Sequence, residues 1–158
     1  MAVLNIVKDG DEILRKKCRP VAEITPRIIR LLDDMKSTLH KANGVGLAAP
    51  QVGVLRRIAI VECEPGEHIE LINPEIIGQE GEQEEIEGCL SVPERWGITK
   101  RPAKVKVKAT DRNGNTFTVE GEGLLARALC HEIDHLDGII FYDKAVRMLS
   151  KEEIENDE

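Results

Sequence analysis

The sequence lacks several features that would assign it to a specialised class of protein. None of its four cysteines form a Cys-x-x-Cys pair, and cytoplasmic thiols are normally reduced, so each cysteine must be a core residue, a metal ligand or a nucleophile. The apolar stretch Val45–Pro50 is broken by Gly46 and is far shorter than the roughly 20 residues that a membrane-spanning helix needs. No linker, internal repeat or low-complexity tract divides the 158 residues. We therefore expect one domain over residues 1–158, with no membrane segment.

The chain also lacks an excess of positive charge. Its net charge is −7, whereas nucleic-acid binding requires a basic surface. The basic stretch Lys100–Lys108 alternates lysine with valine toward its end, which favours the solvated face of a strand over a nucleic-acid site. The amino terminus has neither the basic start and long apolar run of a secretory signal nor the arginine and serine of a transit peptide. These features predict a cytoplasmic protein that does not bind nucleic acid directly.

Hydrophobic periodicity predicts two main helices among short strands. Apolar residues recur at three- and four-residue steps after Thr25, which predicts a helix over residues 26–42. A second helix is expected over residues 122–137, ended by Gly138. We expect an α+β fold, with mainly antiparallel sheets packed around the second helix. Strands are expected at residues 58–61, 68–72, 104–110, 115–120 and 139–141.

Four further segments have local interpretations. Residues 1–10 are expected to form a loosely anchored start, and the glutamate-rich residues 80–87 a solvated edge. His68 follows a Pro-Gly turn and is expected to face solvent. Residues 150–153 have the spacing of a capping box, which predicts a last short helix.

The clearest chemical pattern is His131-Glu132-Ile133-Asp134-His135. Two histidines four residues apart on a helix lie on one face and can bind one metal ion. Glu132 adds a carboxylate that could move protons for a water molecule. The five residues alone are equally compatible with a solvated helix face, so a third ligand decides between the two interpretations.

Cys89 is the best candidate for that third ligand. It follows a glycine, and a proline four residues later favours a turn that could direct its sulfur inward. Cys130 is about 100° of helix rotation away from His131 and faces elsewhere. One thiolate and two imidazoles suit Zn²⁺ or Fe²⁺ better than Mg²⁺ or Ca²⁺. The alternative is that Cys89 is only a packing residue, which is common for a cysteine beside leucine and valine.

The loop at residues 44–53 is rich in glycine, yet it is apolar apart from Gln51. A loop of this composition is expected to be buried or to line a pocket, where the amide of Gln51 must find partners or face a ligand. A phosphate-binding loop is not favoured, because the third glycine, the lysine and the preceding strand of such loops are missing.

Three segments together resemble the motifs of the peptide deformylase family. They are residues 44–51, with the sequence Gly-Val-Gly-Leu-Ala-Ala-Pro-Gln, residues 87–91, with Glu-Gly-Cys-Leu-Ser, and the histidine motif above. The resemblance continues through Arg101, residues 111–114 and residues 136–138, and so covers most of the chain. The chain departs from the family pattern at Cys130, where glutamine is frequent, and at Trp96.

The resemblance implies a set of roles for the site residues. Cys89, His131 and His135 would hold the metal, with Fe²⁺ as the expected native ion and Zn²⁺ or Ni²⁺ as possible substitutes. Glu132 would be the general base, and Asp134 would have a structural role. The resemblance further implies that Gln51 and the backbone N–H of Leu90 would stabilise the oxyanion. The methionine side chain would lie in a pocket walled by Val45, Ile86, Leu124 and Ala128. Gly46 would allow the substrate backbone to approach closely.

The implied substrate is the formylmethionyl end of a nascent polypeptide, which would place the enzyme near the ribosome. Two alternatives stay open from the sequence. A zinc peptidase uses the same helix motif, although it normally takes histidine or glutamate as third ligand. A non-catalytic metal- or peptide-binding relative is disfavoured because a structural site would need neither Glu132 nor Gln51.

Overall fold

The computed structural model describes residues 2–156 and contains three helices among eight strands. The α+β class with antiparallel sheets is confirmed. The helices are α1 (Pro26–Ala42), α2 (Leu124–Leu136) and α3 (Lys151–Asn156). The strands are β1 (Gly46–Ala48), β2 (Ile58–Val61), β3 (Ile69–Glu80), β4 (Gln83–Cys89), β5 (Val92–Arg101), β6 (Lys104–Thr110), β7 (Thr116–Glu122) and β8 (Ala145–Met148).

The strands form two sheets. The larger has the order β1-β2-β3-β6-β7 and the smaller the order β4-β5-β8, and every pairing is antiparallel. The β6–β7 hairpin turns at Asn113 and Gly114, as expected, because glycine adopts the positive φ of 84° without steric cost. The lysines of β6 are exposed and the intervening residues buried, which confirms the solvated face for this part of the basic stretch. The prediction is wrong at Arg101, which is buried.

Helix α1 begins and ends where the sequence predicts. The Thr25 side chain accepts a hydrogen bond from the Ile28 N–H at 3.4 Å, and Asn43 ends the helix in the left-handed conformation with φ 56°. Its buried face packs against the larger sheet. This face consists of Ile28, Leu32, Met35, Thr38 and Leu39.

Helix α2 lies at the centre of the fold, since it contacts strands of both sheets. Nine of its thirteen residues are buried, including both histidines and Glu132. A helix buried this completely leaves little room for its polar groups, so each needs a protein partner or a ligand. Gly138, with φ 76°, follows the helix, and a Cβ atom there would lie 2.5 Å from the Arg15 carbonyl oxygen. Only glycine fits this close crossing of two chain segments.

The prediction of a strand at residues 139–141 is wrong. Ile140 instead begins a 3-10 turn over Phe141–Asp143, because the Asp143 carboxylate accepts a hydrogen bond from the Ile140 N–H at 3.0 Å. Ile140 and Phe141 are buried as expected, and the last strand is β8. The last helix is confirmed, with reciprocal capping bonds of 3.1 Å between Ser150 and Glu153. The final two residues of the acidic tail lie outside the described part of the chain.

The amino terminus is better anchored than the sequence indicated. The Val7 and Asp9 N–H groups donate to the carbonyls of Gln51 and Ser91, each at 2.7 Å. No helix among residues 2–156 has the length and apolar composition needed to cross a bilayer.

A charged network joins α1 to the larger sheet. Arg112, in the β6–β7 turn, donates to Asp33 of α1 at 2.8 Å and to both oxygens of Glu70 on β3. His68 contacts Glu62 and Glu70 and is only 12% exposed, so its predicted solvation is wrong. Arg112 contacts Glu70 and Asp33 across 42 and 79 residues of sequence, and no local pattern predicts those contacts.

Replacing Arg112 with glutamine should lower the free energy of unfolding at neutral pH by about 1–3 kcal/mol, because charged hydrogen bonds are lost. Burial alone would raise the pKa of Glu70, but Arg112 and His68 outweigh burial and lower that pKa from 4.5 to about 2. The stabilisation is therefore present above about pH 4.5 and disappears as the pH falls toward 2. Urea unfolding should show the difference between native protein and variant shrinking over that range.

Lys104→Gln is the matched control for this experiment. The side chains of Lys104 and its partner Glu122 are 59% and 73% exposed. Loss of this ion pair should therefore change the free energy of unfolding by no more than about 0.5 kcal/mol. Equal behaviour of the two variants at all pH values would contradict a role for Arg112 in fastening α1.

Candidate active site

Cys89, His131 and His135 converge although 41 residues separate the first two in sequence. One ligand atom from each lies within 4.8 Å of the others, and the Cys89 Sγ is 3.3 Å from the His135 Nε2. Cys89 ends β4, and its pairing with Val92 closes a tight turn that directs the sulfur toward α2. The predicted third donor therefore lies where a metal shared with both histidines would require it.

The chemistry of this donor group fits a divalent transition metal. A thiolate and two imidazoles are ligands that Zn²⁺ and Fe²⁺ accept. Burial and the charge of His131 lower the pKa of His135 well below its usual value, which keeps that imidazole neutral as a ligand must be. Burial opposes charge on His131 as well, yet Glu132, Cys89 and Glu87 together raise its pKa well above the ordinary value. Negative groups that favour a cation at this point also favour a metal ion.

Glu87 is the functional residue that the sequence interpretation missed. It is buried, and its carboxylate accepts hydrogen bonds from the His131 Nδ1 at 2.6 Å, from Thr99 at 2.8 Å and from two nitrogens of Arg101. Burial would raise the pKa of Glu87, but His131 and Arg101 lower it well below the ordinary range. The carboxylate fixes the ring orientation of His131 so that its Nε2 faces the other donors.

The expected solvated edge is therefore wrong at Glu87, although Glu84 and Glu85 are exposed as predicted. Two signals in the sequence pointed to Glu87: it lies two residues before Cys89, and a ligand histidine commonly needs a carboxylate partner. Composition concealed it, because five glutamates crowd residues 80–87.

Arg101 extends the network to Asp134. Its guanidinium is 3% exposed and donates to the Asp134 carboxylate at 2.6 Å, which also accepts a hydrogen bond from Lys144 at 3.1 Å. The two carboxylates outweigh burial and raise the pKa of Arg101 above its usual value. Asp134 thus binds Arg101 and Lys144, in agreement with the structural role expected for it. Cys130 is buried among core residues, outside the donor group.

Glu132 has a carboxylate suited to proton transfer. It is 3% exposed, and its Oε1 has no hydrogen-bond partner among the described residues. Burial raises the pKa of Glu132 from 4.5 to about 7, the range in which a group both accepts and returns protons near neutral pH. A Cβ atom on Gly46 would lie 2.5 Å from the Glu132 Oε2. Glycine in the predicted loop therefore makes room for this carboxylate.

Gln51 is 1% exposed and lies in a 3-10 turn over Ala49–Val52. Its Oε1 accepts a hydrogen bond from the Ala48 N–H at 2.9 Å, while its Nε2 is 3.0 Å from the Ser91 Oγ and 3.5 Å from the Cys89 Sγ. The Nε2 side of the Gln51 amide therefore faces the three metal-ligating residues. Leu90 lies between Cys89 and Ser91 in the turn after β4 and borders the same cavity.

The cavity beside these groups has a volume of about 500 Å³. The structure brings the predicted wall residues together with Gln51, Cys89, His131 and Glu132 around it. Trp96 and Arg127 also line it, and the Arg127 guanidinium donates to the Ile86 carbonyl at 3.0 Å. The predicted wall residues are Val45, Ile86, Leu124 and Ala128, and Gly46, predicted for close approach of the substrate backbone, lines the cavity as well.

Comparison with known proteins gives one consistent family. The family model described as polypeptide deformylase matches residues 3–151. The chain is 59% identical to a peptide deformylase of Caldicellulosiruptor bescii, over 98% of this chain and 93% of that protein. It is also 59% identical to a peptide deformylase of Acetivibrio thermocellus, over 98% and 91% of the two chains. A crystal structure of a peptide deformylase from Legionella pneumophila superposes with a TM-score of 0.89 at 43% identity, covering 98% of this chain and 90% of that one.

Replacing Glu87 with glutamine should lower metal affinity by about 10- to 100-fold, because His131 loses its charged acceptor. Competition with a chelator measures this affinity directly. The matched control is Glu85→Gln, two residues away on the same strand but exposed, for which the affinity should not change. Equal affinities of the two variants would contradict a link between Glu87 and metal binding.

Proposed function

We propose a mechanism from one premise: the chain belongs to the polypeptide deformylase family. It is a hydrolase that removes the formyl group from the amino terminus of formylated nascent polypeptides. The observation that supports the mechanism is the convergence of three metal-ligating side chains, a buried carboxylate and an amide donor on one cavity. We further propose that residues 1–158 form one catalytic domain.

Cys89, His131 and His135 are the proposed metal ligands, and Fe²⁺ is the proposed native ion, with Zn²⁺ or Ni²⁺ able to replace it. The mixed sulfur and nitrogen donor set supports this choice. When bound, the metal polarises the formyl oxygen and lowers the pKa of a water molecule toward about 7. Glu87 supports the metal ligands by orienting His131.

Glu132 moves the proton in this mechanism. Its Oε1, which has no hydrogen-bond partner within residues 2–156, accepts a proton from the water whose oxygen attacks the formyl carbon. Glu132 then gives that proton to the amide nitrogen as the carbon–nitrogen bond breaks, because an amine anion is a poor leaving group. The products are formate and a free amino terminus. A pKa near 7 suits a group that must perform both transfers.

Gln51 and the backbone N–H of Leu90 stabilise the negative charge that develops on the formyl oxygen. Donors fixed in a buried site act strongly because they need no reorganisation during the reaction. Gln51 meets this condition, since its amide is buried and its oxygen is already engaged by Ala48.

The methionine side chain of the substrate occupies the apolar part of the cavity, between Val45, Ile86, Leu124 and Ala128. An unbranched thioether suits such a slot. The substrate backbone lies along β1, which is an edge strand of the larger sheet and, in the described part of the chain, pairs with β2 alone. Gly46 permits this approach without displacing Glu132.

The cellular setting follows from the substrate. We propose that the enzyme acts in the cytoplasm near the ribosome, where formylated amino termini emerge, without binding nucleic acid itself. The net charge of −7 supports the last point. Neither a peptidase nor a non-catalytic binding role is needed to explain the site, because the family and the cysteine donor both favour deformylation.

Glu132→Ala should retain its metal and lose deformylation by about 10²- to 10⁴-fold, because no other group replaces the proton acceptor. Formate release from a formylmethionyl peptide measures the activity, and the same peptide without its formyl group should yield no cleavage by native enzyme. Turnover near the native value would contradict Glu132 as the base. Cleavage of the unformylated peptide would indicate a peptidase.

Cys89→Ala should lose its bound metal, as determined by elemental analysis after anaerobic purification, because two imidazoles alone make a weak site. Cys63→Ala is the matched control, since Cys63 is half-buried and lies outside the donor group. About one metal per chain in the Cys89 variant would show that this cysteine is only a packing residue.

A further inference from the structure

Ser91 has a buried hydroxyl group to which the mechanism above assigns no role. Ser91 is completely buried and lies in the turn that also carries Cys89 and Leu90. The Ser91 Oγ accepts a hydrogen bond from the Gln51 Nε2 at 3.0 Å. Ser91 does not border the cavity, so a contact with the substrate does not explain it.

The hydrogen bonds define which way the Gln51 amide points. The Ala48 N–H can only donate, so the amide atom 2.9 Å from it is the oxygen. The nitrogen therefore lies on the other side, with one N–H directed to the Ser91 Oγ. The Gln51 Nε2 also donates to the Cys89 Sγ at 3.5 Å, a long contact to a weak acceptor, and this places the second N–H where the metal-ligating residues border the cavity.

We propose that Ser91 is a positioning residue, which holds the Gln51 amide so that its second N–H faces the reacting formyl oxygen. This inference rests on the proposed role of Gln51 in stabilising the oxyanion. Ala48 and Ser91 act at opposite ends of the amide, and together they fix the rotation about its terminal bond. Without the Ser91 acceptor, one buried N–H loses its partner, and that loss favours rotated or displaced amides.

The backbone around the two residues supports this arrangement. The Val7 N–H donates to the Gln51 carbonyl and the Asp9 N–H to the Ser91 carbonyl, each at 2.7 Å. Residues 7–9 therefore join the turn that carries Gln51 to the turn that carries Ser91. With both backbones joined in this way, the Gln51–Ser91 bond sets the side-chain geometry.

The test is a double-mutant cycle of Ser91→Ala and Gln51→Ala, measured as kcat and KM for a formylmethionyl peptide. Gln51→Ala should lower kcat by about 10²- to 10³-fold. Ser91→Ala should lower kcat by about 10- to 100-fold, with KM within about twofold, because a misplaced donor weakens only the transition state. In the Gln51→Ala background the Ser91 substitution should cause no further loss, since it acts through the amide.

Three further measurements separate positioning from a general loss of structure. Metal content should remain near the native value in Ser91→Ala. Thr38→Val also removes a buried hydroxyl, in α1 and away from the site, and should lower thermal stability while leaving kcat unchanged. Ser91→Cys leaves no cavity and keeps an acceptor atom, although a larger and weaker one, so its kcat should fall between those of native enzyme and Ser91→Ala even if the alanine variant folds poorly.

Two outcomes would overturn the inference while leaving Gln51 as the oxyanion donor. One is a native kcat for Ser91→Ala beside an impaired Gln51→Ala. The other is an equal loss from Ser91→Ala in both backgrounds, which would show that Ser91 does not act through Gln51. A native kcat for Gln51→Ala is a different result: it would overturn the proposed role of Gln51 itself, and the inference about Ser91 with it.

Discussion

The buried carboxylate of Glu87 is the contact on which the site depends most. It lies on the smaller sheet, orients His131 of the central helix and neutralises Arg101, which in turn contacts Asp134 one helical turn further along. A charge removed from water at this depth is tolerated only with partners of opposite sign or hydrogen-bond donors on every side. The requirement aligns β4, β5 and α2, and the alignment places Cys89 beside the two histidines.

Burial has opposite consequences for the two neighbouring carboxylates. Glu87 has cationic partners and a pKa below its usual value, so it stays charged over the whole physiological range. Glu132 lies nearby, its Oε1 has no partner among residues 2–156, and burial raises its pKa to about 7. The fold thus provides one fixed charge that organises the site and one carboxylate that is free to exchange a proton. Gly46 contributes to this difference, because a residue without a side chain leaves space for the Glu132 carboxylate.

The elements that the sequence predicted well have local causes. Helix α1 is bounded by a threonine cap and an asparagine in the left-handed conformation, and the β6–β7 hairpin by Asn-Gly. The chain segment at residues 139–141 was predicted as a strand because its residues are apolar. It forms a 3-10 turn because the Asp143 carboxylate caps it, and Arg15, 128 residues away, binds Asp143. Apolar character predicted burial there, but a contact distant in sequence determined the conformation.

By itself the sequence determined the metal-ligating residue types, their spacing on one helix and the resemblance between separated motifs, because these depend on residue identity and helical geometry alone. It also indicated that Gln51 needed a partner or a ligand. Only the tertiary structure decided that Glu87 leaves the glutamate-rich run to enter the core, and that Ser91 is the partner of Gln51. Both contacts join segments about 40 residues apart. Local patterns do not determine which buried polar groups will meet, since that depends on how the two sheets pack around the helix.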